Sequence, residues 1–252
     1  MTSRHWCVVF LALLVLGPSG ARGQKYKGRE LVEARLLADV ESVSPGQPLT
    51  AGLLLKMAPG WHSYWQFAGD AGIPTEIKWQ LPPGWKAGPI QWPVPLKLDE
   101  PGDIQIYGYH DEVLLLVPLT PPPKIDAASV HLAAEANWLV CEKICIPGGT
   151  NVQLDLPVGS PATPANSELF TKFRQRLPQA LPENARATLR WQRLPNELQL
   201  TIADKSLAQS PTVDFFPLPE APTITGHPRR SQAPDGSLVF TIPVESRSEA
   251  HV

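Results

Sequence analysis

Proline is the residue that most narrows what this chain can fold into. It stands at 29 of 252 positions, against 18 for glycine. A proline has no backbone N–H, and its ring clashes with the preceding helical turn, so helix interiors and central strands exclude it. At this density it permits short strands joined by long connections, and few helices. Apolar residues still make up 43% of the chain, enough for a packed core. Strands are predicted near Leu31–Val40 and Leu49–Met57, around a turn at Ser44-Pro45-Gly46-Gln47. Others are predicted at Thr75–Gln80, Gln105–Tyr109, Val113–Leu119, Ser129–Trp138 and Thr150–Leu156. Residues 86–102 read as a long proline-rich loop. Short strands with turn signals at this spacing predict a mainly β fold, a sandwich.

The ends of this unit are marked by composition. Arg4 and His5 precede an apolar run from Trp6 to Leu16, which Gly17-Pro18-Ser19-Gly20 breaks. The run is too short to span a bilayer, and Ala21-Arg22-Gly23 offers the small residues of a cleavage site. Residues 1–23 are therefore expected to be an export signal, with Gln24 opening the mature chain and Cys7 lost with the signal. Pro157 to Asn166 reads as a linker, small, polar and proline-rich. Beyond it, Ser167 is the expected N-cap of a helix over Glu168–Leu177, with Leu169, Phe170, Phe173 and Leu177 as its apolar stripe. A hairpin from Thr188–Gln192 to Glu197–Ala203, with strands at Val213–Phe216 and Leu238–Val244, makes a second, smaller β module. The expected domains are thus 24–160 and 161–252.

Cysteine usage turns this outline toward chemistry. The mature chain keeps only Cys141 and Cys145, and export would place them where a disulfide persists. As a staple the pair is poor. Closing a loop of about five residues constrains the unfolded chain by roughly 2 kcal/mol, against about 4.7 for a 100-residue loop. Tight, short-range pairs suit thiol–disulfide exchange, in which a thiolate attacks one sulfur and the neighbouring cysteine resolves the mixed disulfide. Lys143 between the cysteines would favour a thiolate, and Glu142 would oppose it; both also fit a solvated loop. Pro147-Gly148-Gly149 reads as a turn, and Trp138 and Ile146 as shields of the sulfurs or ordinary core. From the residues alone, redox exchange leads, with a structural bridge and a metal site as alternatives.

A second cluster, Trp61-His62-Ser63-Tyr64-Trp65, supplies aromatics and a histidine that could wall a cysteine pocket or simply fill a core. Met57 and His62 with the two cysteines would make a soft Cu(I) site, although no methionine- or histidine-rich tract accompanies them. No glycine-rich nucleotide loop, GxSxG, HExxH or CxxC motif is present. A net charge of −2 gives no reason to expect nucleic acid or an anionic membrane as partner.

Four motifs in order then resemble one family. The run W-L-V-C-E-K-I-C-I-P at 138–147 is similar to the N-terminal periplasmic domain of the DsbD/ScsB protein-disulfide reductases, of which ScsB is the copper-tolerance-linked branch. P-G-W-H-S-Y-W at 59–65 with G-D-A-G-I-P at 69–74, L-P-P-G-W-K-A-G-P-I-Q-W-P at 81–93 and I-Y-G-Y-H-D-E-V-L-L at 106–115 agree with it. The resemblance implies an immunoglobulin-like sandwich whose Cys141 and Cys145 relay reducing equivalents, with no cofactor beyond that disulfide. It implies a thioredoxin-like electron donor and periplasmic disulfide oxidoreductases as partners, hence a periplasmic setting. By order in the motif, Cys145 resembles the cysteine that forms the mixed disulfide and Cys141 the one that resolves it. His62 and Tyr64 fall where relatives carry an aromatic pair lining the pocket, the histidine being a departure. Ile106 and Tyr107 fall where relatives carry a cap over the cysteines, and Tyr107-Gly108 keeps that pattern while the acidic pair before it is absent. The membrane and thioredoxin-like domains of full-length relatives lie outside these 252 residues, so any membrane connection is expected through a separate or missing segment. A copper-binding module and an interaction module with an inert bridge remain the alternative readings.

Overall fold

The computed structural model describes residues 28–159, 163–186, 188–219 and 223–246. Residues 1–23, expected to be an export signal, and Cys7 within them lie outside the described residues. The strands come in chain order as β1 (Val32–Ala38), β2 (Leu49–Met57), β3 (His62–Gly69), β4 (Glu76–Gln80) and β5 (Lys86–Ala87). Then follow β6 (Leu96–Glu100), β7 (Ile104–His110), β8 (Glu112–Thr120), β9 (Ser129–Cys141) and β10 (Cys145–Pro157). Beyond the linker lie α1 (Ser167–Arg174), α2 (Glu183–Arg186), β11 (Leu189–Arg193), β12 (Glu197–Ile202) and α3 (Lys205–Gln209). β13 (Thr223–Thr225), β14 (Arg229–Gln232) and β15 (Leu238–Ser246) complete the order. The chain is mainly β, as its prolines demand.

Among the described residues the strands form three sheets. Two make the sandwich, one ordered β1-β2-β8-β5 and the other β10-β9-β3-β7-β6, with β4 also pairing β9. The third, β11-β12-β15-β13 with β14 on β15, forms the second module around Leu200, Phe240 and Ile242. In β2 and β8 an unbroken run of five residues is buried, not every second one. A sheet reads this way when both its faces are covered. The inner face meets the opposite sheet, and α1 lies over β8 with Phe170 and Phe173 fully buried in the same core. The helix expected with the second module therefore packs on the first. Arg174 to Asp39 and Lys172 to Glu112 tie it down at its edges.

Several local expectations are corrected. Residues 86–102 are not all loop: Leu96–Glu100, free of proline, pairs with β7 as the edge of its sheet. Pro147-Gly148-Gly149 does not turn the chain but continues β10. β10 is also an edge strand, so a proline without an N–H is tolerated there. A Cβ on Gly148 would run into the Trp138 indole and the Gly28 backbone, which is why glycine suits that point. Val213–Phe216 forms no strand, since Pro211 and Pro217 bound it and its side chains diverge into two cores. The helix is capped at Asn166, which takes the left-handed conformation (φ 51°), and Ser167 is its first residue. Leu177 lies beyond its end, partly buried against the first core.

Candidate functional site

The two cysteines face each other across the end of one hairpin. β9 and β10 pair in register from Ser129↔Pro157 up to Cys141↔Cys145, and Glu142-Lys143-Ile144 close the turn. The Cα atoms are 4.2 Å apart and the sulfurs are bonded. Thus the strands predicted to stop at Trp138 and to start at Thr150 run on to the cysteines themselves.

Exposure separates the two cysteines. Cys141 is 4% exposed, whereas Cys145 is open to solvent. His62 at the start of β3 pairs with Cys141, which sets β3 beside the disulfide. From β3 the Tyr64 hydroxyl donates to Cys141 Sγ at 2.7 Å and lies 3.6 Å from Cys145 Sγ. His62 Nε2 stands 3.4 Å from the same hydroxyl, and the two rings meet edge to face. Burial raises Tyr64 to about 12, and the nearby Glu100 carboxylate adds to this. The phenol therefore keeps its proton near neutral pH and acts as a donor. Burial first, and then the His110 ring, lowers His62 from 6.5 to about 4, so its imidazole is neutral there.

These groups line a cleft of about 460 Å³. His62, Tyr64 and Ile106 line it together with both cysteines. The turn from β6 to β7 adds Glu100, Pro101 and Ile104, which sequence reasoning missed. A Pro-Gly-Asp turn at 101–103 between alternating residues was the signal for that hairpin. Exposed Ile144 (56%) and Ile104 (37%) give the mouth an apolar rim.

Tyr107 and Trp138 are not in the cleft. Side chains alternate across a strand, so Tyr107 points opposite to Ile106, meeting Trp65 edge to face and lying tilted against Phe67. Trp138 likewise turns away from Cys141, and its indole donates to the Gly28 carbonyl at 3.3 Å. Burial raises the Tyr107 phenol, with Asp214, Asp70 and Asp99 adding to it. Among the described residues no three His, Cys, Asp or Glu side chains cluster to hold a metal ion. Met57 sits in the sandwich core at 7% exposure.

The family model for the N-terminal part of the thiol:disulfide interchange protein DsbD matches residues 30–157. The chain belongs to the DsbD N-terminal family. The matched stretch takes in the whole cleft, from His62 to Cys145. Among solved structures, the N-terminal periplasmic domain of ScsB from Proteus mirabilis superposes with a TM-score of 0.61 at 21% identity, covering 89% of this chain and 84% of that one. At that identity the likeness speaks for the fold, and its span includes the second module. The reduced DsbD N-terminal domain of Neisseria meningitidis matches at a TM-score of 0.29 and 14% identity, over 54% of this chain and 92% of that one. No curated protein matches the sequence. For a DsbD-family domain, a bonded cysteine pair lining a cleft is the redox-capable element. Among the described residues no helix is long and apolar enough to cross a membrane.

Proposed function

We propose that this protein relays reducing equivalents in the periplasm, from a thioredoxin-like donor to disulfide oxidoreductases, through Cys141 and Cys145. The observation that carries the reading is the unequal exposure of the two cysteines: Cys145 is open and Cys141 is 4% exposed, its sulfur held by the Tyr64 hydroxyl. A donor thiolate attacks Cys145 Sγ. The Cys141–Cys145 bond breaks, and its electron pair stays on Cys141 as a thiolate that accepts the Tyr64 hydrogen bond. The donor's second thiolate then attacks its own sulfur in the mixed disulfide, leaving Cys145 as a thiolate and the donor oxidised. Onward transfer runs in reverse: Cys145 attacks the acceptor's disulfide, and Cys141 resolves the mixed disulfide and expels the acceptor's thiolate. His62 steadies the Tyr64 hydroxyl, and Ile106 with the β6–β7 turn caps the cleft. Residues 1–23 serve as the export signal. The redox unit is 24–160, and 161–252 is its accessory module.

Trapping tests the assignment. With a thioredoxin-fold protein as probe, Cys141→Ser is expected to accumulate a mixed disulfide through Cys145, and Cys145→Ser is not. Equal trapping by both variants, or none by either, would overturn the roles. The pair's reduction potential is expected between about −270 and −180 mV, where electrons flow downhill from thioredoxin toward isomerases; a value below about −300 mV would mark an inert bridge.

A further inference from the structure

The β6–β7 hairpin forms one wall of the cysteine cleft, and its own sheet secures it on one side only. β6 is the last strand of the order β10-β9-β3-β7-β6. Its tip carries Gly102 at φ 90°, where an added Cβ would meet nothing within 4 Å. How closely such an edge hairpin stands over the sulfurs depends on what packs against its two faces.

The register assigns those faces. Leu98 pairs with Ile106, and both join the cluster of Tyr64, Ala68 and Cys141. Lys97 pairs with Tyr107, and both point the other way. On that rear face lies a segment of the second module. Asp214 Oδ1 accepts from Lys97 Nζ at 2.6 Å. The Phe216 ring meets Tyr107 edge-on at 5.5 Å and Trp65 at 6.2 Å, with the Lys97 ammonium 5.6 Å above it. His227 Nε2 reaches Asp70 Oδ2 at 2.5 Å, and that oxygen also accepts from the Gln105 backbone in β7. The neighbouring Phe215 packs on Phe240 at 5.7 Å in the second module's own core. Adjacent phenylalanines thus anchor in the two cores, and the hairpin is held between the cleft in front and the second module behind.

We propose that Asp214, Phe216 and His227 are positioning residues: acting from the second module, they hold the β6–β7 hairpin against the cleft and so set how readily a thiol reaches Cys145. This builds on the exchange reading and gives residues 168–252 a task within it. The three residues touch neither sulfur. They act through the wall that carries Glu100, Pro101, Ile104 and Ile106.

The test uses the oxidised full mature chain and two reductants. Dithiothreitol closes to its cyclic disulfide as the pair takes up two electrons; thioredoxin is the protein probe. Phe216→Ala is expected to speed reduction by dithiothreitol about fivefold, the scale of one lost aromatic pair. Amide exchange at 100–106 should rise with it. The reduction potential should stay at the wild-type value, because the sulfurs keep their own neighbours. Asp214→Lys should act in the same direction, and Lys97→Asp with Asp214→Lys should bring the rate back. Since Asp214 is 38% exposed, this pair keeps the test open if Phe216→Ala fails to fold. A wild-type rate in folded Phe216→Ala would overturn the proposal. So would a potential that moves with the rate, or a double reversal that stays as fast as Asp214→Lys alone. A wild-type pair that dithiothreitol reduces and thioredoxin does not would instead sink the exchange reading, while the dithiothreitol rates still decide the positioning role.

Discussion

Acidification from pH 7 to pH 4 should destabilise this fold through His62 in particular. The imidazole is 2% exposed, it pairs beside the disulfide, and burial followed by the His110 ring lowers it from 6.5 to about 4. In the unfolded chain the same ring titrates near the ordinary 6.5. As pH falls below that value the unfolded chain takes up a proton that the folded chain refuses. Stability is therefore full above about 6.5 and is lost as pH falls, levelling off only below about 4. Linkage puts the loss at about 2 kcal/mol by pH 5 and about 3 kcal/mol by pH 4. Set against a total of roughly 5–15 kcal/mol for a typical domain, that is a large share. Urea unfolding of oxidised wild type and His62→Gln at pH 7, 6, 5 and 4.5 measures it. Every other ionisable side chain, His110 included, is present in both proteins, so the difference isolates His62. The stability gap between the two proteins should shrink by about 2 kcal/mol between pH 7 and pH 5. A gap that stays constant with pH would refute the reasoning, because His62 would then titrate alike in both states.

Three further outcomes follow from the same geometry. Tyr64→Phe removes the donor to the Cys141 sulfur; a hydrogen bond to a charged group is worth about 1.5 kcal/mol or more, so stopped-flow reduction by thioredoxin should slow roughly tenfold. Gly72→Ala should lower urea stability by about 1–3 kcal/mol, because Gly72 sits at φ 117° and a Cβ there would overlap the Tyr64 ring. Phe173→Ala empties a fully buried site under α1 and should cost about 3–5 kcal/mol in urea unfolding, a loss that would be absent if the helix merely decorated the sandwich.

The sandwich strands and the cysteine pair were legible because their signals are local: alternation, turn residues and a four-residue spacing. The errors came where a local rule is relaxed by position in the sheet. Pro147-Gly148-Gly149 breaks a strand in most settings, but β10 is an edge, and Trp138 needs the space that Gly148 leaves. The long loop expected at 86–102 hid β6, although Pro101-Gly102-Asp103 marked a hairpin tip. Ile106 and Tyr107 were both expected at the cap, yet neighbours on one strand cannot share a face. The same alternation sends Trp138 away from Cys141, so period-2 reasoning applied strictly would have kept Ile106 and dropped both aromatics.

What no local pattern carried is which core receives which side chain. The stripe of α1 announced an apolar face, but the residues receiving Phe170 and Phe173 lie far back in the chain, on β8 and its neighbours. Phe215 and Phe216 pose the same problem in two letters. With no strand at 213–216, no fixed alternation applies, and each ring goes to the core whose aromatics it meets: Phe240 for one, Tyr107 and Trp65 for the other. A proline-rich stretch at 157–166 separates two runs of strands in sequence, while the apolar packing crosses it, through α1 and again through Phe216. If those crossings matter to the cleft, changes far beyond residue 157 should alter chemistry at Cys145. The matched family region, 30–157, contains the sulfurs but not the residues that brace the wall beside them.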